Sequence, residues 1–218
     1  MSHIRIMAIA IVVIIGFWSC TPPVPVLTLS PDTPKPIKVD PDNLCQIGFS
    51  KALSGMEAGI EIGRYYEGIF LTSQKIYYSS VSISEEVQAY FSKLVLEELE
   101  NAGYYIVKSQ TESLFSDHGS DPEETPTTHL VGCTVLDMSV NVYDLVAGNK
   151  SEANLLIKWE LFDCGSKEVV YSKQTSGSAL APGVDFRVMN GARRSSFQAV
   201  LADSAFVTAI TGHSQSEE

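Results

Sequence analysis

"HLVGCTVLDMSVNVYDL" (residues 129–145) and "EANLLIKWELFDC" (residues 152–164) decide the fold. Leu136, Met138, Val140 and Val142 alternate with Asp137, Ser139, Asn141 and Tyr143. Leu155, Ile157, Trp159 and Leu161 alternate with Leu156, Lys158, Glu160 and Phe162. A period of two marks strands with one face buried. "VAGNKS" (146–151) and "CGSK" (164–167) are turns, and "EVVYSKQTSG" (168–177) reads as the next strand. The three make an antiparallel meander with one inward face.

Upstream, "SISEEVQAYFSKLVLEELENAGYYIV" (82–107) changes the period. Val87, Tyr90, Phe91, Leu94, Val95, Leu99 and Ala102 recur at steps of three and four, the stripe of an amphipathic helix. Ser82 with Glu85 fits a capping box, and Ser84 competes as N-cap. Gly103 suits the left-handed position after a helix, and "YYIVK" (104–108) leaves as a strand. Glu97, Glu98 and Glu100 oppose the macrodipole and read as a solvated face.

"LCQIGFS" (44–50) is a strand candidate, and "EGIFLTSQKIYYSS" (67–80) holds another. The Gly-rich stretch between them reads as loop with an edge segment. "DFRVMNGARRSSFQAVLADSAFVTAI" (185–210) reads as a helix lying across the sheet, with Ser195 and Ser196 on its surface. The expected class is α+β: a two-layer sandwich of a mostly antiparallel sheet with two helices on one face. Its order is β-(β)-α-β-β-β-β-α.

The chain has 218 residues, 44% hydrophobic and 19% charged, enough apolar content for a core and unlike a disordered composition. A net charge of −11 and the scatter of Lys and Arg argue against nucleic-acid binding.

The N-terminus reads as an export signal: Arg5 in a short polar head, then an unbroken apolar run from Ile6 to Phe17. That run is shorter than the roughly 20 residues a spanning helix needs. Phe17-Trp18-Ser19-Cys20 resembles the lipobox of Gram-negative lipoproteins, in which the cysteine is lipidated and becomes the new N-terminus. Ser19 fits that pattern; Phe17 and Trp18 depart from it. The alternatives are a simple cleaved signal, or a short uncleaved anchor with Cys20 inert. Seven of the ten prolines fall between residues 22 and 41, a composition that favours an extended tether. The division expected is signal peptide 1–19, lipidated Cys20 and tether 20–43, α+β domain 44–211 and frayed tail 212–218. Thr21 in place of Asp favours the outer over the inner membrane, with the domain facing the periplasm.

Ile62, Gly63, Gly68, Gly103, Tyr104, Asp137, Phe197 and Phe206 sit where small envelope lipoproteins of the YajG type carry matching residues. The layout from 44 to 211 is similar also to auxiliary lipoproteins of lipid-transporting systems, including the PqiC type. The resemblance implies an envelope protein and supplies no catalytic residues.

No nucleophile-elbow, zincin or phosphate-loop motif occurs in the sequence. Asp117, His118, Asp121, Glu123 and Glu124 lack calcium-loop spacing and read as a solvated loop. His3, His129 and His213 form no zinc pair. No cofactor or metal is expected. In an exported chain Cys133 and Cys164 are disulfide candidates. If the turn centres between Gly148 and Asn149, they face each other, but Asp137 then faces Glu160. A two-residue slip would match Asp137 with Lys158 and separate the cysteines. Cys45 is a further thiol.

Of the doublets Tyr65-Tyr66, Tyr77-Tyr78 and Tyr104-Tyr105, one member of each is expected inward and one outward. Tyr66, Tyr78 and Tyr105 are the candidates for a partner surface. The expected function is a membrane-anchored, noncatalytic accessory that binds an envelope protein. The alternative is a module holding a small apolar ligand, such as a lipid, between helices and sheet.

Overall fold

The computed structural model describes residues 28–29, 33–39, 46–68, 70–79, 82–106, 127–145 and 148–211. The export signal, Cys20, Cys45, the acidic stretch 117–124 and the tail lie outside the described residues. The strands are β1 (Thr28–Leu29), β2 (Gln46–Ser54), β3 (Glu61–Glu67), β4 (Thr72–Tyr77), β5 (Tyr105–Ile106), β6 (His129–Asp144), β7 (Lys150–Asp163) and β8 (Glu168–Pro182). The helices are α1 (Glu85–Ala102), α2 (Val188–Leu201) and α3 (Ser204–Thr211).

The fold is α+β, and the meander β6–β7–β8 is its centre. Every odd residue of β7 from Ser151 to Asp163 is buried, as the period-two pattern requires. The sheet is mixed rather than mostly antiparallel, with main order β1-β8-β7-β6-β2-β5. β2 and β3 both run parallel to β6, β2 along its first half and β3 along its second. β4 folds back antiparallel on β3. The stretch read as loop with an edge segment thus holds a full strand around Gly63. A β-carbon on Gly63 would lie 1.7 Å from the Val140 carbonyl oxygen, so β3 approaches β6 only because glycine stands there.

The β6–β7 register differs from both sequence alternatives. Cys133 faces Trp159, and Asp137 faces Leu156. Cys164 donates its N–H to the Thr128 carbonyl, five positions along the strand from Cys133. At about 3.3 Å per residue that is roughly 16 Å, too far for a disulfide. Both cysteines are free thiols. Tyr143 pairs with Lys150, so the turn centres two residues earlier than expected, and a bulge between Val135 and Asp137 shifts the register by one more. It makes Leu136 an extra residue and switches the inward set from Val131, Cys133 and Val135 to Val140 and Val142. Leu136, expected inward, is only half-buried.

Helix α1 starts at Ser84, whose hydroxyl accepts from the Val87 N–H, and ends at Gly103 with φ 96. The expected C-terminal helix is two. Asp203 breaks it: its side chain accepts from the Ala205 N–H, starting α3. α1, α2 and α3 all contribute to one core cluster with the sheet. Its rings interlock: Trp159 meets Phe91 and Phe197, and Phe206 meets Tyr104 and Tyr171. Burial of such side chains is worth about 1.5–3 kcal/mol each.

Two further expectations are corrected inside this core. Ser195 and Ser196 are buried, not on a helix surface. The Ser196 hydroxyl accepts from Trp159 Nε1 at 3.0 Å and pairs with Thr175 Oγ1 at 2.7 Å. Part of the expected tether is docked on the domain. Thr28 and Leu29 pair with Leu180 and Ala179, Thr33 Oγ1 lies 2.9 Å from Ser195 Oγ, and Ile37 and Val39 donate to the Leu201 and Ala102 carbonyls.

Candidate partner-binding face

The helices cover one face of the β6–β7–β8 sheet. Residues of opposite parity form the other face, and they are mixed: Leu130, Thr134, Leu156, Lys158, Glu160 and Phe162 are all half-buried. Two open clefts lie there. One, of about 340 Å³, is lined by Leu53 of β2, Leu130 and Gly132 of β6, Glu160 and Phe162 of β7 and Val169 of β8. Its origin is local. Gly132 has no side chain where the register sets it opposite Glu160, and β2 shifts register between Phe49 and Ala52. Leu53 and Val169 are left exposed at its rim.

The second cleft, of about 430 Å³, lies between Asp137, Ser139, Asn154, Leu156, Ser176 and Ser178. Small side chains on neighbouring strands leave the depression: Ser139 faces Asn154, which faces Ser178. Asp137 is exposed, and its carboxylate accepts from the Met138 N–H at 2.9 Å. One cleft therefore offers apolar contact and the other hydrogen bonding, on a continuous surface. Lys158 and Glu160 stand between them as an ion pair, Nζ 2.7 Å from Oε1.

The tyrosine candidates separate. Tyr105 is 57% exposed and its neighbour Tyr104 is buried, as a strand doublet requires. Tyr78 is the half-buried member of its pair: it packs against the core and donates to Ser54 Oγ, while Tyr77 is exposed. Tyr66 is half-buried and stacked on Tyr143, ring centroids 4.8 Å apart. These three tyrosines therefore share no single exposed surface. Leu53, Val169 and the two clefts were not singled out in the sequence; the Gly132 gap in a β6 strand was the one visible signal.

Burial shifts several titratable groups of the core. Burial pushes the Cys133 thiol up to about 12, against the opposing influence of Arg193. Burial alone raises Tyr104 to about 12. Arg193 is buried over the Phe91 ring, and that desolvation lowers its pKa. Among the described residues no group of three or more His, Cys, Asp or Glu is placed to hold a metal. No helix among them is long and apolar enough to cross a membrane.

No protein-family model and no curated protein matches the sequence. Solved structures of similar outline include protein XCC0632 from Xanthomonas campestris, of the DUF330 family, at 12% identity and TM-score 0.41, covering 85% of this chain and 98% of that one. A PelC dodecamer from Paraburkholderia phytofirmans matches at 11% identity and TM-score 0.32, over 82% of this chain and 96% of that one. A Caulobacter crescentus protein described as a lipoprotein matches at 14% identity and TM-score 0.28, over 57% and 84%. These likenesses are of outline and carry no functional assignment.

Of the eight residues behind the resemblance to envelope lipoproteins, most serve the fold. Gly63 admits Val140, Gly103 ends α1, and Tyr104, Phe197 and Phe206 fill the core. Asp137 alone faces outward into a cleft.

Proposed function

We propose that the protein is a lipid-anchored, noncatalytic component of a bacterial envelope that acts by binding another envelope protein. The sequence supports the anchor through its short apolar run and the Ser19-Cys20 site. The observation that carries the binding role is the sheet face that no described element covers, where Leu53 and Val169 stand exposed beside an apolar cleft and a polar one. A surface that mixes apolar contact with hydrogen-bonding groups suits a protein partner. Beside it, the described part of β1 pairs with β8 at Ala179 and Leu180, and no other described strand lies on that outer edge, which leaves backbone groups for an added strand. The core between helices and sheet is occupied by Trp159, Phe91, Phe197 and Phe206, which disfavours an apolar ligand held there. Docking from a membrane tether works at high local concentration, so modest affinity suffices.

The test has two arms. Mass measurement of the mature chain from membranes reads the anchor: a diacylated N-terminal Cys20 is expected, and an unmodified Cys20 sinks it. Photo-crosslinking in cells reads the binding role, with probes at Leu53 and Val169 and a control at Lys93 on the exposed side of α1. A discrete protein adduct from the face probes alone is expected. Adducts to lipid only, or the same adducts from Lys93, would refute the binding face.

A further inference from the structure

The loops at one end of the sheet form an apolar rim. β6 ends at Asp144, β7 begins at Lys150 and β8 ends at Pro182, with Lys150 opposite both Tyr143 and Pro182. The Gly183 N–H donates to the Asn149 carbonyl, which ties the turn after β8 to the start of β7. The Gly68 N–H donates to the Asp144 carbonyl, which sets the β3–β4 hairpin tip beside them. From β3 to β8 is three strand spacings, about 14 Å.

The most exposed large apolar side chain in the described structure is on this rim: Phe70, 91% exposed at the hairpin tip. Leu71 beside it is 56% exposed, and across the rim Phe186 is 58% and Val184 43% exposed. Leu71 holds φ at 53, in the left-handed region that side chains avoid, directly after Phe70. A strained turn that keeps two apolar side chains in water costs stability without any return inside the fold. Behind the tips stand amphipathic groups. Tyr66 stacks on Tyr143, Lys150 Nζ lies 4.4 Å from the Tyr143 ring centroid, and Tyr65 donates to Asp144. Apolar tips backed by tyrosine and lysine follow the layering of a lipid interface, where ring bodies and polar ends are both satisfied.

The path of the chain selects the occupant. Thr28 pairs with Leu180, two residues before the end of β8, so the N-terminal segment enters the fold at this rim. Cys20 precedes Thr28 by eight residues. Fully extended, those residues span no more than about 28 Å. A lipid on Cys20 therefore keeps this end of the domain, and not the opposite one, against the bilayer.

We infer that Phe70, Leu71, Val184 and Phe186 insert into the surface of the membrane that holds the Cys20 lipid, and so fix the orientation of the domain. This rests on the lipid-anchor reading proposed above. With the rim down, the clefted face and the β8 edge stand sideways to the membrane, open to a neighbouring protein.

The experiment places one tryptophan at the tip. The lipidated chain carrying Phe70→Trp is purified from membranes and reconstituted in phosphatidylethanolamine–phosphatidylglycerol vesicles with or without dibrominated phosphatidylcholine. In the chain cleaved before Cys20, which has lost Trp18, Trp159 buried in the core is the shared background, and Leu53→Trp is the control away from the rim. The expected result is a blue-shifted Phe70→Trp emission quenched about two-fold by bromolipid, with Leu53→Trp unaffected. A blue shift without bromolipid quenching means that protein covers the tip, and overturns the inference. So does unquenched Phe70→Trp emission when mass shows Cys20 lipidated, and that result leaves the anchor intact. Phe70→Trp quenching in excess of the Leu53→Trp control with Cys20 unmodified upholds the rim contact and removes the anchor instead, since Trp18, where the signal is retained, is common to both chains.

Discussion

Arg194 on α2 reaches Glu98 on α1, its Nε 2.9 Å from the Glu98 Oε1. Glu98 is buried, and its other oxygen accepts from Gln198 Nε2 at 2.8 Å. Glu97 also approaches Arg194, at 3.4 Å. The acidity at the end of α1 is thus a solvated face at Glu100, while Glu98, with Glu97 beside it, turns to the second helix. Glu97 and Glu98 bind the second helix, and Glu98 tolerates its unfavourable place on the macrodipole because a guanidinium compensates it.

Arg194→Met should leave Glu98 buried with only an amide partner. The expected loss is about 1–3 kcal/mol, kept below the fully buried limit because Arg194 is partly exposed. Urea unfolding reads it as a lower midpoint. In a double-mutant cycle with Glu98→Gln, the two changes should be markedly non-additive. Additivity would show that the pair contributes nothing.

Gly177 on β8 lies under α2 with no room for a side chain. A β-carbon there would be 2.0 Å from the Ala192 carbonyl oxygen and 2.5 Å from the Ser196 nitrogen. Gly177→Ala should push the helix off the sheet and disturb the Trp159–Ser196–Thr175 hydrogen bonds, costing about 2–4 kcal/mol. Gly132→Ala is the matched control: its nearest atom, the Lys51 carbonyl oxygen, is at an ordinary 3.5 Å. Thermal melts should separate the two. Equal melting temperatures would refute the close approach.

What could be read from the sequence follows from how local each signal is. The alternation of β7 and the stripe of α1 are set by residues within a few positions of one another, and both elements stand where expected. The β6 bulge is nearly legible, since "VLDM" puts two apolar residues side by side where the alternation changes phase. Strand β3 was hidden because its decisive residue, Gly63, looks like a loop signal until Val140 is known to lie against it. The candidate face was hidden for a related reason. Its clefts come from missing atoms at Gly132 and the small serines, and from the parallel entry of β2 beside β6, a pairing between residues some 80 positions apart. Alternation reports which face is buried and says nothing about the shape of the face that is not.

Stability should fall at alkaline pH. The Cys133 thiol stays protonated in the fold up to about 12, because burial disfavours the thiolate, while an unfolded cysteine titrates near 9.0. Above that value the unfolded chain releases a proton that the folded chain retains, so rising pH favours unfolding. Cys164 shifts in the same direction, through burial and then the Asp163 charge. Tyr104, raised to about 12 by burial, adds to the slope from about pH 10 upward. Guanidinium unfolding at pH 7 to 10 should show a decline beginning near pH 9, shallower in Cys133→Ala. A wild-type profile flat to pH 10 would mean that the thiol is not buried as described.

The carbonyl of Val39 would lie 2.6 Å from a β-carbon on Gly103, while the Val39 N–H donates to the Ala102 carbonyl at 3.0 Å. The end of α1 is thus one docking point of the N-terminal segment, and it needs glycine twice: for φ 96 and for the approach of Val39. Gly103→Ala should therefore release residues 33–39 while leaving most of α1 folded. Trypsin reads this at Lys38, because Pro36 shields the bond after Lys35. In the wild-type chain cleavage at Lys38 requires local undocking, so it should be slow. In Gly103→Ala it should rise about ten-fold, as expected when a local opening becomes easier by a little over 1 kcal/mol. Circular dichroism should show the helix content nearly unchanged. Rapid cleavage at Lys38 in the folded wild-type chain would show that residues 33–39 are not docked on the end of α1.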